Sequence, residues 1–139
     1  MEIENNQIEN SFVTEQTEIH KLYSKKAIWG FSIFFSSLVG GILLMQNLIE
    51  IGKKKEAKTV LIASIVITIL PFMLAKLMEK EISTYTLLTN IIGGLIISEF
   101  YFSLYIPKEE VFENKKIWKP LLISLLIIVP LIVITIYYT

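Results

Sequence analysis

The run "AIWGFSIFFSSLVGGILLMQNLI", Ala27 to Ile49, contains no charged residue. At about 1.5 Å per residue a helix of this length covers roughly 34 Å, enough to cross a bilayer hydrocarbon core of about 30 Å. Trp29, near its start, suits an anchor at the membrane–water interface. The run therefore reads as a first transmembrane span, and the organisation of the chain follows from that reading.

Three further apolar runs follow the first. "TVLIASIVITILPFMLAKL" (Thr59–Leu77) is the second span, with Pro71 expected to kink it because proline lacks the N–H that would bond the carbonyl of Ile67. The third, about 82–106, is the most polar, and Pro107 should end it. The fourth covers about 117–138, with Trp118 and Lys119 at one interface and Tyr137 and Tyr138 at the other, and with Pro130 as a second expected kink. The chain is 53% hydrophobic, and that excess is concentrated in these blocks. The expected fold is an all-α, integral membrane four-helix bundle over residues 27–139. Residues 1–26, with five Glu and few apolar groups, are expected to form a disordered or interfacial tail.

The composition excludes several function classes. All 13 cations are Lys and all 13 anions are Glu. Without Arg there is no bidentate phosphate clamp, and without a basic excess nucleic acid is not an expected partner. With no Cys and one His (His20), neither a thiolate nor a paired-histidine metal site can form, so no metal and no cofactor is expected. No Ser/His/Asp set or phosphate loop is present, so no catalytic residues are assigned and no enzymatic activity is expected.

The two halves of the chain also resemble each other. "LVGGILLMQN" in the first span parallels "IIGGLIISEF" in the third, and "LIASIVITILP" in the second parallels "LLISLLIIVP" in the fourth. Two tandem helical hairpins of like orientation would give this pattern. Within it, Ser36, Gly40 and Gly41 in the first span and Gly93, Gly94 and Ser98 in the third supply the small residues that let helix backbones approach in lipid. Spans one and three are expected to meet there, or two copies of the chain, so a homo-oligomer or another membrane protein joins the lipid bilayer as an expected partner.

Glu99 is the one full charge in "NIIGGLIISEFYFSLY" (Asn90–Tyr105). If the span centres on Leu95, this carboxylate lies about 6 Å from the midplane and needs a partner. Gln46 and Asn47 occupy the corresponding place in the first span, and the three together would form an ion or proton site. If the span lies earlier, Glu99 sits at the boundary, a placement favoured by the neighbouring Phe100, Tyr101, Phe102 and Tyr105. Across four spans, loops one and three hold eight lysines and the tail with loop two holds five, so the lysine rule places both termini outside.

Tyr23-Ser24 before the first span, Gly40-Gly41 inside it, Asn47 near its end, and Gly52-Lys53 followed by Ala57 resemble a family of small, uncharacterised membrane proteins of Bacteroidetes and related bacteria. The resemblance covers roughly residues 22–70 and departs from the common form by lacking a proline after the glycines. It implies a multi-pass protein of the bacterial cytoplasmic membrane. The expected role is a structural or accessory component of a membrane assembly. The alternative is a small ion or proton channel, or a transporter subunit, using Glu99. A membrane-perturbing effector is the third reading.

Overall fold

The computed structural model of the chain describes residues 19–79, 81–108 and 112–139. The expected tail over 1–18 lies outside the described residues. Five helices and two short strands follow in order: β1 (His20–Leu22), α1 (Lys25–Phe34), α2 (Ser37–Glu50), α3 (Lys54–Met78), α4 (Ile82–Tyr105), β2 (Phe112–Asn114) and α5 (Trp118–Tyr138). The chain is predominantly helical, and α3, α4 and α5 are each long and apolar enough to cross a membrane.

The expected single span over 27–49 is not one helix. It breaks at Phe35–Ser36 into α1 and α2. Ser36 is fully extended (φ 171°, ψ 162°) and reverses the chain. Its carbonyl accepts from Val39 and Gly40, and the Phe31 carbonyl accepts from Phe35 and Ser36, so most groups at the reversal are paired. The two arms fold back on each other. An added Cβ at Gly40 would land on the Ser32 hydroxyl and 2.8 Å from the Ile28 carbonyl oxygen, so only glycine permits this crossing. At roughly 15 and 21 Å, neither arm reaches across a 30 Å core. The four-helix bundle thus becomes three long helices and a broken pair.

This pairing also corrects the expected topology. Tyr23 and Asn47, at the open end of the hairpin, are hydrogen-bonded to each other. β1 pairs in parallel with β2, His20 opposite Phe112 and Leu22 opposite Asn114. The tail and the loops after α2 and α4 therefore share one end of the molecule, whereas four crossings would put the tail opposite both loops. His20–Leu22, expected to be part of an unstructured tail, is a strand, and Ser24 caps α1 by accepting from the Ala27 N–H at 3.2 Å.

The helix ends follow local sequence. Gly52 (φ 81°) closes α2 with Lys53 N–H bonding the Leu48 carbonyl and Gly52 N–H bonding the Ile49 carbonyl, a Schellman motif. α3 runs through Pro71 without a break, and the Thr68 hydroxyl donates to the Ser64 carbonyl one turn earlier. α4 contains a π-helical turn over Ile96–Tyr101. Its buried residues are Thr89, Gly93, Gly94, Ile97 and Ser98, then Phe102 and Ile106 at its end. In an uninterrupted α-helix the last two would lie about 150° around the axis from the mean of the others, and the extra residue of a π turn returns them by about 100°. The core of Leu22, Ile28, Leu43, Leu44, Leu48, Val60, Ile97 and Phe102 sits where the hairpin packs on α3 and α4. Among the described residues α5 meets this core through Leu121, and Ser124 is its one buried residue.

Candidate functional site

The hairpin is held at its tip and at its open end by different chemistry. At the tip, α4 offers two adjacent glycines. A Cβ at Gly93 would collide with the Ser37 hydroxyl and with Ile67 of α3, and one at Gly94 would lie 2.9 Å from Ser32 Cβ and 3.3 Å from Trp29 Cδ1. Each glycine thus seats one arm. The Ser37 N–H, which has no partner within its own helix at the start of α2, donates to Asn90 Oδ1 of α4 at 3.3 Å. A free backbone donor is expensive in lipid, so this cap from a neighbouring helix lets the chain reverse at that depth. Gly93 and Asn90 lie near the middle of α4, and the roughly 21 Å length of α2 accounts for that reach. The Ser37 hydroxyl is buried and has no hydrogen-bond partner among the described residues.

Of the small residues expected to pack, Gly93 and Gly94 meet the hairpin through Ser37, Ser32 and Trp29, while Gly40 faces Ser32 within the hairpin and Gly41 faces Ser64 of α3. Ser36 forms the reversal and Ser98 is buried in the π turn. The two glycine pairs therefore do not face each other. Ser32 and Ser64, which with Ser37 complete the contact surface, were not singled out in the sequence. Their signal was the small-residue spacing that also contains the glycines.

At the open end the polar residues converge. Asn47, 1% exposed, receives the Tyr23 N–H on Oδ1 at 2.7 Å and donates Nδ2–H to the Tyr23 carbonyl at 2.8 Å. One amide thereby satisfies both backbone groups of a buried residue. Burial pushes the Tyr23 phenol above its ordinary 10.0, and the Lys115 ammonium sits 5.1 Å from its ring centre. The Lys53 ammonium donates to the Tyr105 carbonyl at the last turn of α4, where a cation complements the helix dipole.

Glu99 belongs to this same end. Its carboxylate accepts from Lys25 Nζ at 3.2 Å, and Lys25 also donates to Ser103 Oγ at 2.7 Å and lies 5.5 Å from the Phe102 ring centre. Glu99 is exposed on the surface of the bundle, with Lys25 at the start of α1 as its ion-pair partner. The expected grouping of Glu99 with Gln46 and Asn47 does not form: Asn47 is spent on Tyr23, and Gln46 is exposed. Lys25 was passed over because it precedes the apolar run by two residues, and only the fold brings it to Glu99. Among the described residues no group of His, Cys, Asp or Glu could hold a metal ion. No protein family, curated protein or solved structure matches the chain.

Proposed function

We propose that the chain is a multi-pass membrane protein with three crossings and one re-entrant hairpin, acting as a structural or accessory component of a membrane assembly and without enzymatic activity. The observation that carries the accessory role is α5. It is the most apolar of the three long helices, yet only 6% of its span is buried within the chain. A helix apolar on every face and barely packed on its own bundle is available to a neighbouring membrane helix. Photo-crosslinking from Leu126 in native membranes tests this. A discrete protein adduct, lost when α5 is replaced by polyleucine of equal length, is expected. Lipid adducts alone would reject the accessory role.

The orientation follows from the hairpin. With β1 and the segments after α2 and α4 at one end, eleven of the thirteen lysines of the sequence belong to that end, against two at the end of α3 and in the stretch that joins it to α4. An asymmetry of that size supports an orientation with the lysine-rich end in the cytoplasm of a bacterial cell and the C-terminus outside. The resemblance to small bacterial membrane proteins supports the same location. Glu99 is paired with Lys25 near the lysine-rich end, which supports the accessory reading over an ion pathway through Glu99.

A further inference from the structure

At the lysine-rich end a cavity of about 170 Å³ opens between the start of α1 and the end of α4. Lys25, Phe102, Ser103, Ile106, Lys108 and Phe112 line it. Its floor is apolar and well formed: Phe102 and Ile106 are buried, and Phe102 meets Phe112 edge-on with ring centres 6.3 Å apart. Its rim carries two ammonium-bearing side chains and one hydroxyl.

The donors at this rim are not exhausted. An ammonium has three N–H donors, and Lys25 uses one on Glu99 and one on Ser103. Ser103 accepts from Lys25, and among the described residues its own O–H has no acceptor and can donate. The ring beneath Lys25 and its two acceptors hold the ammonium at the rim rather than in solvent. Glu99 is the carboxylate in contact with Lys25, and it is exposed beside the cavity rather than lining it. Next to the rim, α4 presents exposed Leu104 and, one turn deeper, exposed Phe100. An anionic group at the rim attached to a long apolar body would find both halves of its chemistry matched.

We propose that this cavity holds the phosphate of an anionic membrane lipid. Lys25, Lys108 and Ser103 donate to the phosphate oxygens, and the acyl chains lie along Leu104 and Phe100. Lysines act here as point charges, as they must in a chain without Arg. The proposal rests on the reading that the lysine-rich end lies at the membrane surface.

Native mass spectrometry of the delipidated full chain in detergent tests it, with phosphatidylglycerol, phosphatidylcholine of the same acyl chains, and inorganic phosphate as probes. Phosphatidylglycerol should be retained in preference to phosphatidylcholine, and inorganic phosphate at the same concentration should neither bind measurably nor displace it. Each of Lys25→Gln and Lys108→Gln should weaken phosphatidylglycerol retention about fivefold, while Lys76→Gln at the other end leaves it unchanged. Lys108→Gln guards against a folding artefact, because Lys25 is tied into the bundle through Glu99 and Ser103 whereas Lys108 is exposed. Equal retention of the two lipids, or retention unaffected by both lysine variants, would overturn the proposal. Binding of inorganic phosphate alone to the same degree would make this a free-anion site and overturn the lipid assignment. Because binding in detergent does not depend on orientation, failure here with the topology intact rejects only this site.

Discussion

Replacing Asn47 by Leu isolates the contact that closes the hairpin. The side chains are of similar size, so packing around the buried position is largely kept, but the amide that serves Tyr23 disappears. Both the N–H and the carbonyl of Tyr23 then lose their partner, at 2.7 and 2.8 Å, beside a side chain that is 1% exposed. An orphaned buried polar group costs about 1–3 kcal/mol, so the pair costs about 2–6 kcal/mol. For a chain of this size that corresponds to a fall in melting temperature on the order of 10–20 °C. The assay is thermal unfolding in mild detergent followed by tryptophan fluorescence, with Trp29 on the first arm of the hairpin as one reporter. Gln46→Leu is the control: the neighbouring residue is exposed and should shift the melt by less than about 0.5 kcal/mol equivalent. Equal effects of the two substitutions, or none from either, would refute the argument that Asn47 locks the hairpin.

Other outcomes follow from the same contacts. Gly41→Leu and Gly93→Leu should each destabilise by about 1–3 kcal/mol or more, since the new side chains meet Ser64 and Ile67, whereas Gly30→Ala meets open space and should be tolerated; chemical denaturation in detergent compares them. Ser37→Ala removes a buried hydroxyl that has no partner among the described residues and should be neutral or stabilising by about 1 kcal/mol in the same assay. Glu99→Gln breaks an exposed ion pair and should change stability by only about 0–1 kcal/mol. In proton-flux measurements on reconstituted vesicles it should behave as the parent chain, and a flux that the substitution abolishes would revive the ion-pathway reading.

The long helices were legible because α3, α4 and α5 are predominantly apolar over a bilayer-spanning length, with lysines and glutamates clustered at their ends. The hairpin was not. Hydropathy measures how long an uncharged run is, not whether it is straight, and "FFSSLVGG" carries neither charge nor proline to announce a reversal. Two signals pointed to it. Asn47 is a buried-type polar group near the end of an otherwise apolar run, in need of a partner that a single crossing does not supply. The lysine tally, eight against five over four crossings, was an unusually shallow asymmetry that becomes eleven against two once the run turns back. The π turn left a comparable trace in the phase of α4, where Phe102 and Ile106 fall out of step with Gly93 and Ile97. Glu99 was read as a problem within one span. Its partner, Lys25, is 74 residues away in sequence, and only the pairing of tail, loop and helix end brings the two together.

The central claim is that Ala27–Ile49 enters the membrane and leaves by the same face. Because the chain has no cysteine, single cysteines at Lys26, Lys55, Lys116, Glu81 and Thr139 can be labelled with a membrane-impermeant maleimide in intact cells and in inverted vesicles. Positions 26, 55 and 116 should label together from the cytoplasmic side, and 81 and 139 together from outside. Labelling of positions 26 and 55 from opposite faces would mean that the first apolar run crosses the bilayer, and would contradict the account.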